Sequence, residues 1–159
     1  MEQLRVDDMK KLIIILILIM AAGTAWSQVV APMNFVNQLG DKKQATFGDA
    51  VNIYLLTLGK DPKGFNIDVQ ALTGMGILKD NDYRADTPLR RGMIANMVAR
   101  HLKLADSLFY NIFGTERYAF RACIAARLME AEGSEWDDIS GEELLEIMSA
   151  VEYRLEVQK

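Results

Sequence analysis

Residues 71–104 read ALTGMGILKDNDYRADTPLRRGMIANMVARHLKL, and this stretch decides the fold. It opens inside a short helix, roughly Ile67 to Met75, closed by Gly76, with Ile77 and Leu78 packing back. Glycine just past the last helical turn is a common stop, because it takes the left-handed conformation at no steric cost. Lys79 to Thr87 is a polar turn. A second helix starts after Pro88 and runs to about Leu104, where Ile94, Met97, Val98 and Leu102 predict a buried face.

The same grammar extends in both directions. Thr46 with Asp49 three residues on is a capping-box pattern, with Asp reaching less far than the usual Glu. Phe47, Ala50, Val51, Tyr54, Leu55 and Leu58 follow at helical spacing, and Gly59 with Asp61-Pro62 stops them. Towards the C-terminus, Ser107 to Phe113 reads as a brief helical turn ending at Gly114. A helix over about Glu116 to Ala131 then presents Phe120, Cys123, Ile124 and Leu128, with Ala119, Ala122 and Ala126 allowing close approach. After Gly133 and an acidic loop, Ser140 and Glu143 make a second capping box. The last helix turns Leu144, Ile147, Met148, Val151 and Leu155 inward. The expected fold is all-α, a compact helical-repeat domain of about five main helices over residues 45–157.

Three helix entrances align without gaps: Ala45-Thr46-Phe47-Gly48-Asp49-Ala50, Leu89-Arg90-Arg91-Gly92-Met93-Ile94 and Ile139-Ser140-Gly141-Glu142-Glu143-Leu144. Their spacing of about 44 and 50 residues is that of a repeat architecture. A helix–loop–helix unit this small cannot bury its apolar face alone, so the three copies are expected to pack together.

The 71–104 stretch resembles the S-layer homology domain, whose repeats pair a helix ending in Gly-Ile with an aromatic–basic–Pro–Asp turn and a Pro-Leu-Thr-Arg-Ala-Glu helix start. Gly76-Ile77-Leu78 matches the helix end, Tyr83-Arg84-Ala85-Asp86-Thr87-Pro88-Leu89 matches the turn, and Arg91 stands at the motif arginine. The resemblance loosely covers residues 45 to 157. It implies an all-helical domain that anchors proteins to cell-wall polysaccharide. It also implies Arg91 as the anion-binding group, with Tyr83, Arg84 and Asp86 beside it. A guanidinium suits that role because it forks two hydrogen bonds to a carboxylate. The motif's threonine is here Arg90, its alanine Gly92 and its glutamate Met93. The first copy has Phe47 and the third Gly141 at the arginine position, so at most one copy keeps the ligand arginine.

The N-terminal end carries an export pattern. Lys10 and Lys11 precede the apolar run Leu12 to Met20, and Ala25-Trp26-Ser27-Gln28 places small residues at the −3 and −1 positions of a cut after Ser27. A spanning helix needs about 20 apolar residues, and this run reaches only about 14 with its small residues included. Residues 1–27 are therefore expected to be a cleaved signal peptide, leaving no stable transmembrane segment. Met9-Lys10-Lys11 is the expected true start, since Asp7 and Asp8 are acidic where such a signal is positive. No cysteine near the cut offers a lipid attachment. Residues 28–44 read as an N-terminal lead with little periodicity. The expected location is the periplasm rather than the cell surface.

Composition narrows the function. Residues 79–127 hold nine basic and five acidic side chains, whereas residues 128–159 hold two basic and ten acidic. That acidic end argues against a nucleic-acid face. One histidine and one cysteine cannot make a zinc site. Asp80, Asp82 and Asp86 alternate as in a calcium loop, yet Arg84 interrupts them, the turn glycine is missing and Arg91 replaces the closing glutamate. No metal or cofactor is expected. His101 and Cys123 read as structural, and no nucleophile sits in a catalytic motif. Arg90 and Arg91 at a helix start face the unfavourable end of the dipole, which points to an anionic partner: a sugar acid, a phosphate, or the chain's own acidic C-terminal segment. The expected function is that of a non-enzymatic structural or adaptor protein of the bacterial envelope, binding a protein partner. The alternative is a wall-polysaccharide or glycan-binding module using Arg91, Arg84 and Tyr83.

Overall fold

A computed structural model of the chain describes residues 33–104 and 115–157. The chain falls into two compact units, Met1–Asn37 and Gln38–Lys159. Of the first, only 33–37 are described, as the opening of a short helix α1 over 33–40. Five further helices follow: α2 (Phe47–Thr57), α3 (Phe65–Gly74), α4 (Arg91–His101), α5 (Glu116–Ala125) and α6 (Gly141–Val157). The fold is all-helical, and the described residues contain no strand, only isolated bridges joining Thr46 to Pro88 and Arg90 to Asp138. No helix among them is long and apolar enough to cross a membrane. The export segment and the 107–113 turn lie outside the described residues.

Helix ends show which signals a sequence carries. Four helices close in the same manner, with a left-handed residue followed by a return hydrogen bond to the carbonyl five residues back. At α2 and α3 the left-handed residue is glycine: Gly59 (φ 67°) precedes Lys60 N–H donating to Leu55 O, and Gly76 (φ 75°) precedes Ile77 N–H donating to Leu72 O. These two ends fall within a residue of expectation. At α4 and α5 the residue is Lys103 (φ 47°) or Arg127 (φ 58°), with Leu104 N–H donating to Ala99 O and Leu128 N–H to Cys123 O. Both helices stop short of the expected Leu104 and Ala131. A lysine or arginine in that conformation looks, in sequence, like another helical residue. Leu128 then folds back into the core at 6% exposure.

The N-terminal lead also differs from expectation, since 33–40 forms α1. Eight residues span barely two turns, too few for a period to show. Helix starts follow the sequence more closely. Thr46 and Asp49 complete a reciprocal capping box on α2, and Lys42 adds an ion pair to Asp49 at 2.7 Å. On α6, Glu143 N–H donates to Ser140 Oγ at 3.0 Å. Helix α3 uses another device that the sequence does not announce. Buried Asp68 reaches back to accept from Lys63 N–H and Gly64 N–H at 2.9 Å each, tying the preceding turn to the first helical turn.

At the centre, the three aligned entrances close a ring. Ala45 N–H donates to Ile139 O (2.9 Å), Ile139 N–H donates to Leu89 O (3.1 Å) and Leu89 N–H donates to Ala45 O (2.9 Å). These three residues hold the same position in the three copies, and each is at most 1% exposed. The ring satisfies backbone groups that a buried loop would otherwise leave unpaired. Each copy's turn then caps its neighbour's helix. Thr87 O and Ala85 O accept from Phe47 and Gly48 at the start of α2, and Asp137 O and Glu135 O accept from Arg91 and Gly92 at the start of α4. Lys42 O accepts from Gly141 at the start of α6. The apolar faces of the copies meet beneath the ring, with α4 packed on α5 and α2 packed on α3 and α6.

Candidate functional site

The position after each N-cap, where the resemblance places an arginine, carries Phe47, Arg91 and Gly141 in the three copies. The ring sets these equivalent positions in three different surroundings. Phe47 is 2% exposed, stacked on Tyr83 with ring centroids 4.7 Å apart and edge-on to Phe65 at 6.2 Å. Gly141 admits the end of α1. A Cβ there would overlap the carbonyl oxygen of Leu39 and lie 2.6 Å from its carbon.

Arg91 is turned inward. Its Nε lies 2.8 Å from Glu143 Oε1, close enough for an ion pair although not aligned as a hydrogen bond, and the two side chains are 16% and 27% exposed. Its Nη1 donates to the carbonyl of Glu132, in a turn that Gly133 makes possible at φ 88°. Asp137 holds that turn by accepting from Ser134 N–H at 2.7 Å. Arg90 lies over the ring of Trp136, 5.1 Å from its centroid. Both arginines thus engage the acidic third copy, the internal pairing that the charge distribution allowed for.

Tyr83 and Arg84 do not share a groove with Arg91. Tyr83 and Arg84 line a groove of about 600 Å³, together with Arg90, Asp82 and Glu116. Arg91 instead lines a groove of about 610 Å³ with Arg127, Glu142 and Glu146, above Ile124 and Leu128. Burial raises the Tyr83 hydroxyl above its ordinary pKa. Arg84 and Asp86 form a fully exposed ion pair at 3.0 Å, whose hydrogen bond lowers the Asp86 carboxyl and raises the guanidinium. Trp136, 63% exposed, is the side chain that sequence reading passed over within the acidic loop. Only an isolated aromatic among acids marked it.

Beneath the ring, Tyr54 is fully buried and shares a 3.0 Å hydrogen bond with His101 Nδ1. Burial pushes the Cys123 thiol up to about 12, and its Sγ lies 3.5 Å from the carbonyl of Ala95. A thiol held protonated is a poor nucleophile. The same desolvation raises the Tyr54 hydroxyl and lowers His101. Since His101 has a lower pKa folded than unfolded, the unfolded chain binds the proton first as pH falls through the ordinary histidine range. Stability from this group is therefore present above that range and lost below it. In urea titrations, the stability advantage of wild type over His101→Gln should narrow from pH 7.5 to pH 5. A constant gap would mean that His101 keeps its ordinary pKa in the fold.

No group of three or more His, Cys, Asp or Glu side chains among the described residues is placed to hold a metal ion. No family model matches the chain, and no curated protein or solved structure matches it.

Proposed function

We propose that this chain is a non-enzymatic structural or adaptor protein of the bacterial envelope that works by binding a protein partner. The observation that carries the reading is the engagement of Arg91 by Glu143 and the Glu132 carbonyl, which takes up the one arginine retained at the motif position. A sugar acid would have to displace a carboxylate already held inside the domain. Trp136, braced by Arg90 and 63% exposed, offers instead the kind of aromatic anchor that protein interfaces favour. An exported, periplasmic location remains part of this reading and rests on the signal pattern of residues 10–28.

The test sets the immobilised protein against envelope extract and, separately, against purified wall polysaccharide. A stoichiometric protein partner, lost with Trp136→Ala at unchanged melting temperature, is the expected result. Retention on polysaccharide that Arg91→Ala abolishes would overturn it in favour of a glycan-binding module.

A further inference from the structure

Helices α5 and α6 carry opposite charge on faces that lead to one groove. On α5, Arg117 and Arg121 are exposed one turn apart, and Ile124 continues their stripe at helical spacing. On α6 the exposed stripe runs Glu142, Glu146, Ser149, Tyr153 and Glu156, with Glu152 beside it. Ile124, Arg127, Glu142 and Glu146 all line the 610 Å³ groove where α5 ends and α6 begins. Arg154, the one basic residue of α6, turns away and donates to Ala126 O at 3.1 Å.

Neither stripe suits an isolated domain. Arg117 stands in the first turn of α5 and Glu156 in the last turn of α6, each at the end of the helix dipole that disfavours its charge. Arg117 with Arg121, Glu142 with Glu146 and Glu152 with Glu156 are like-charge pairs at i,i+4, which repel. Tyr153 and Val157 are 70% and 69% exposed, so the acidic stripe ends in apolar surface that water does not favour.

We infer that this surface binds a second copy of the same chain. A two-fold axis through the groove lays the arginine stripe of one copy over the glutamate stripe of its partner, and the reverse contact forms at once. Such reciprocity is what a closed two-fold interface requires. Each stripe then faces opposite charge, and Tyr153 gains cover. Helix α6 is about 25 Å long at 1.5 Å per residue. Helix α5, with ten residues, adds a face only about 15 Å long, so the two stripes cover roughly 400 Å² per copy, about 800 Å² in total, the size of a transient contact. The dimer is accordingly weak and sensitive to salt, because exposed charge pairs are screened. This inference is independent of what the domain binds.

Sedimentation velocity on the protein, purified as an expressing bacterium processes it, tests the pairing. A dimer that dissociates at least tenfold more readily at 500 mM than at 50 mM NaCl is expected. Arg117→Glu/Arg121→Glu should be monomeric, and so should Glu142→Lys/Glu146→Lys. Mixing these two variants should restore a dimer, since each supplies the charge that the other lacks. A wild type that stays monomeric at 50 mM NaCl, a dimer indifferent to both reversals, or a mixture that fails to associate although both variants keep the wild-type melting temperature would each overturn the inference.

Discussion

Gly141→Ala should be among the most damaging single methyl additions in the described fold. Helix α6 starts where the end of α1 passes across it: Gly141 N–H donates to Lys42 O at 2.8 Å, and an added Cβ would overlap the Leu39 carbonyl. The obstructing atoms are backbone, and Lys42 N–H is bonded to that same Leu39 O at 3.0 Å, so relief requires the whole 39–42 turn to move. Overpacking of this kind typically costs about 1–3 kcal/mol and occasionally more. With backbone as the obstacle the expected loss is about 3 kcal/mol, or roughly 10 °C in melting temperature for a domain of this size. Gly74→Ala is the matched control. It adds the same methyl at the end of α3, with no atom within 4 Å of the new Cβ, and should be neutral or stabilising by a few tenths of a kcal/mol. Thermal melts of the two variants check the contrast. Equal melting temperatures would mean that the 39–42 turn does not pack on α6 as described.

Phe47→Ala should be comparably severe for the opposite reason, a void instead of a clash. Phe47 is the aromatic hinge between the first and second copies, holding Tyr83 by stacking and Phe65 by its edge. Truncation of a buried phenylalanine costs about 3–5 kcal/mol, made up of lost transfer energy and the cavity left behind. The expected value lies near the lower limit, because Tyr83 is only half-buried and so part of the gap opens towards solvent. Phe47→Leu keeps most of the volume and should cost about 1–1.5 kcal/mol. Chemical denaturation supplies both numbers. A loss below about 1 kcal/mol for Phe47→Ala would mean that Phe47 is not packed between Tyr83 and Phe65 as described.

Both predictions concern one position in the repeat, and so does the functional question. Phe47, Arg91 and Gly141 align by counting, yet the sequence offers no reason for three such different side chains. The reason lies in what each meets. The 83–87 turn of the second copy lies over Phe47, the 132–138 turn of the third lies over Arg91, and the end of α1 lies over Gly141. The partner of Arg91 was equally hidden. Glu143 reads as the far half of a capping box, and its backbone N–H does meet Ser140, but its carboxylate sits against a guanidinium 52 positions earlier in the chain. Tyr83, Arg84 and Asp86 were legible as a turn next to Arg91. That Tyr83 and Arg84 line a different groove from Arg91 is visible only in the folded chain.

Residue order alone settles the all-helical class, the starts of α2 and α6, the ends marked by Gly59 and Gly76, and the alignment of three entrances. Each of these is a local matter of propensity, capping or glycine geometry acting within a few residues. The ring joining Ala45, Leu89 and Ile139, the left-handed stops at Lys103 and Arg127, and the separation of Arg91 from Tyr83 and Arg84 were decided by tertiary structure. The ring and the separation depend on hydrogen bonds and close contacts between groups far apart in the chain, and the two stops put a lysine and an arginine in a conformation that their local pattern does not mark.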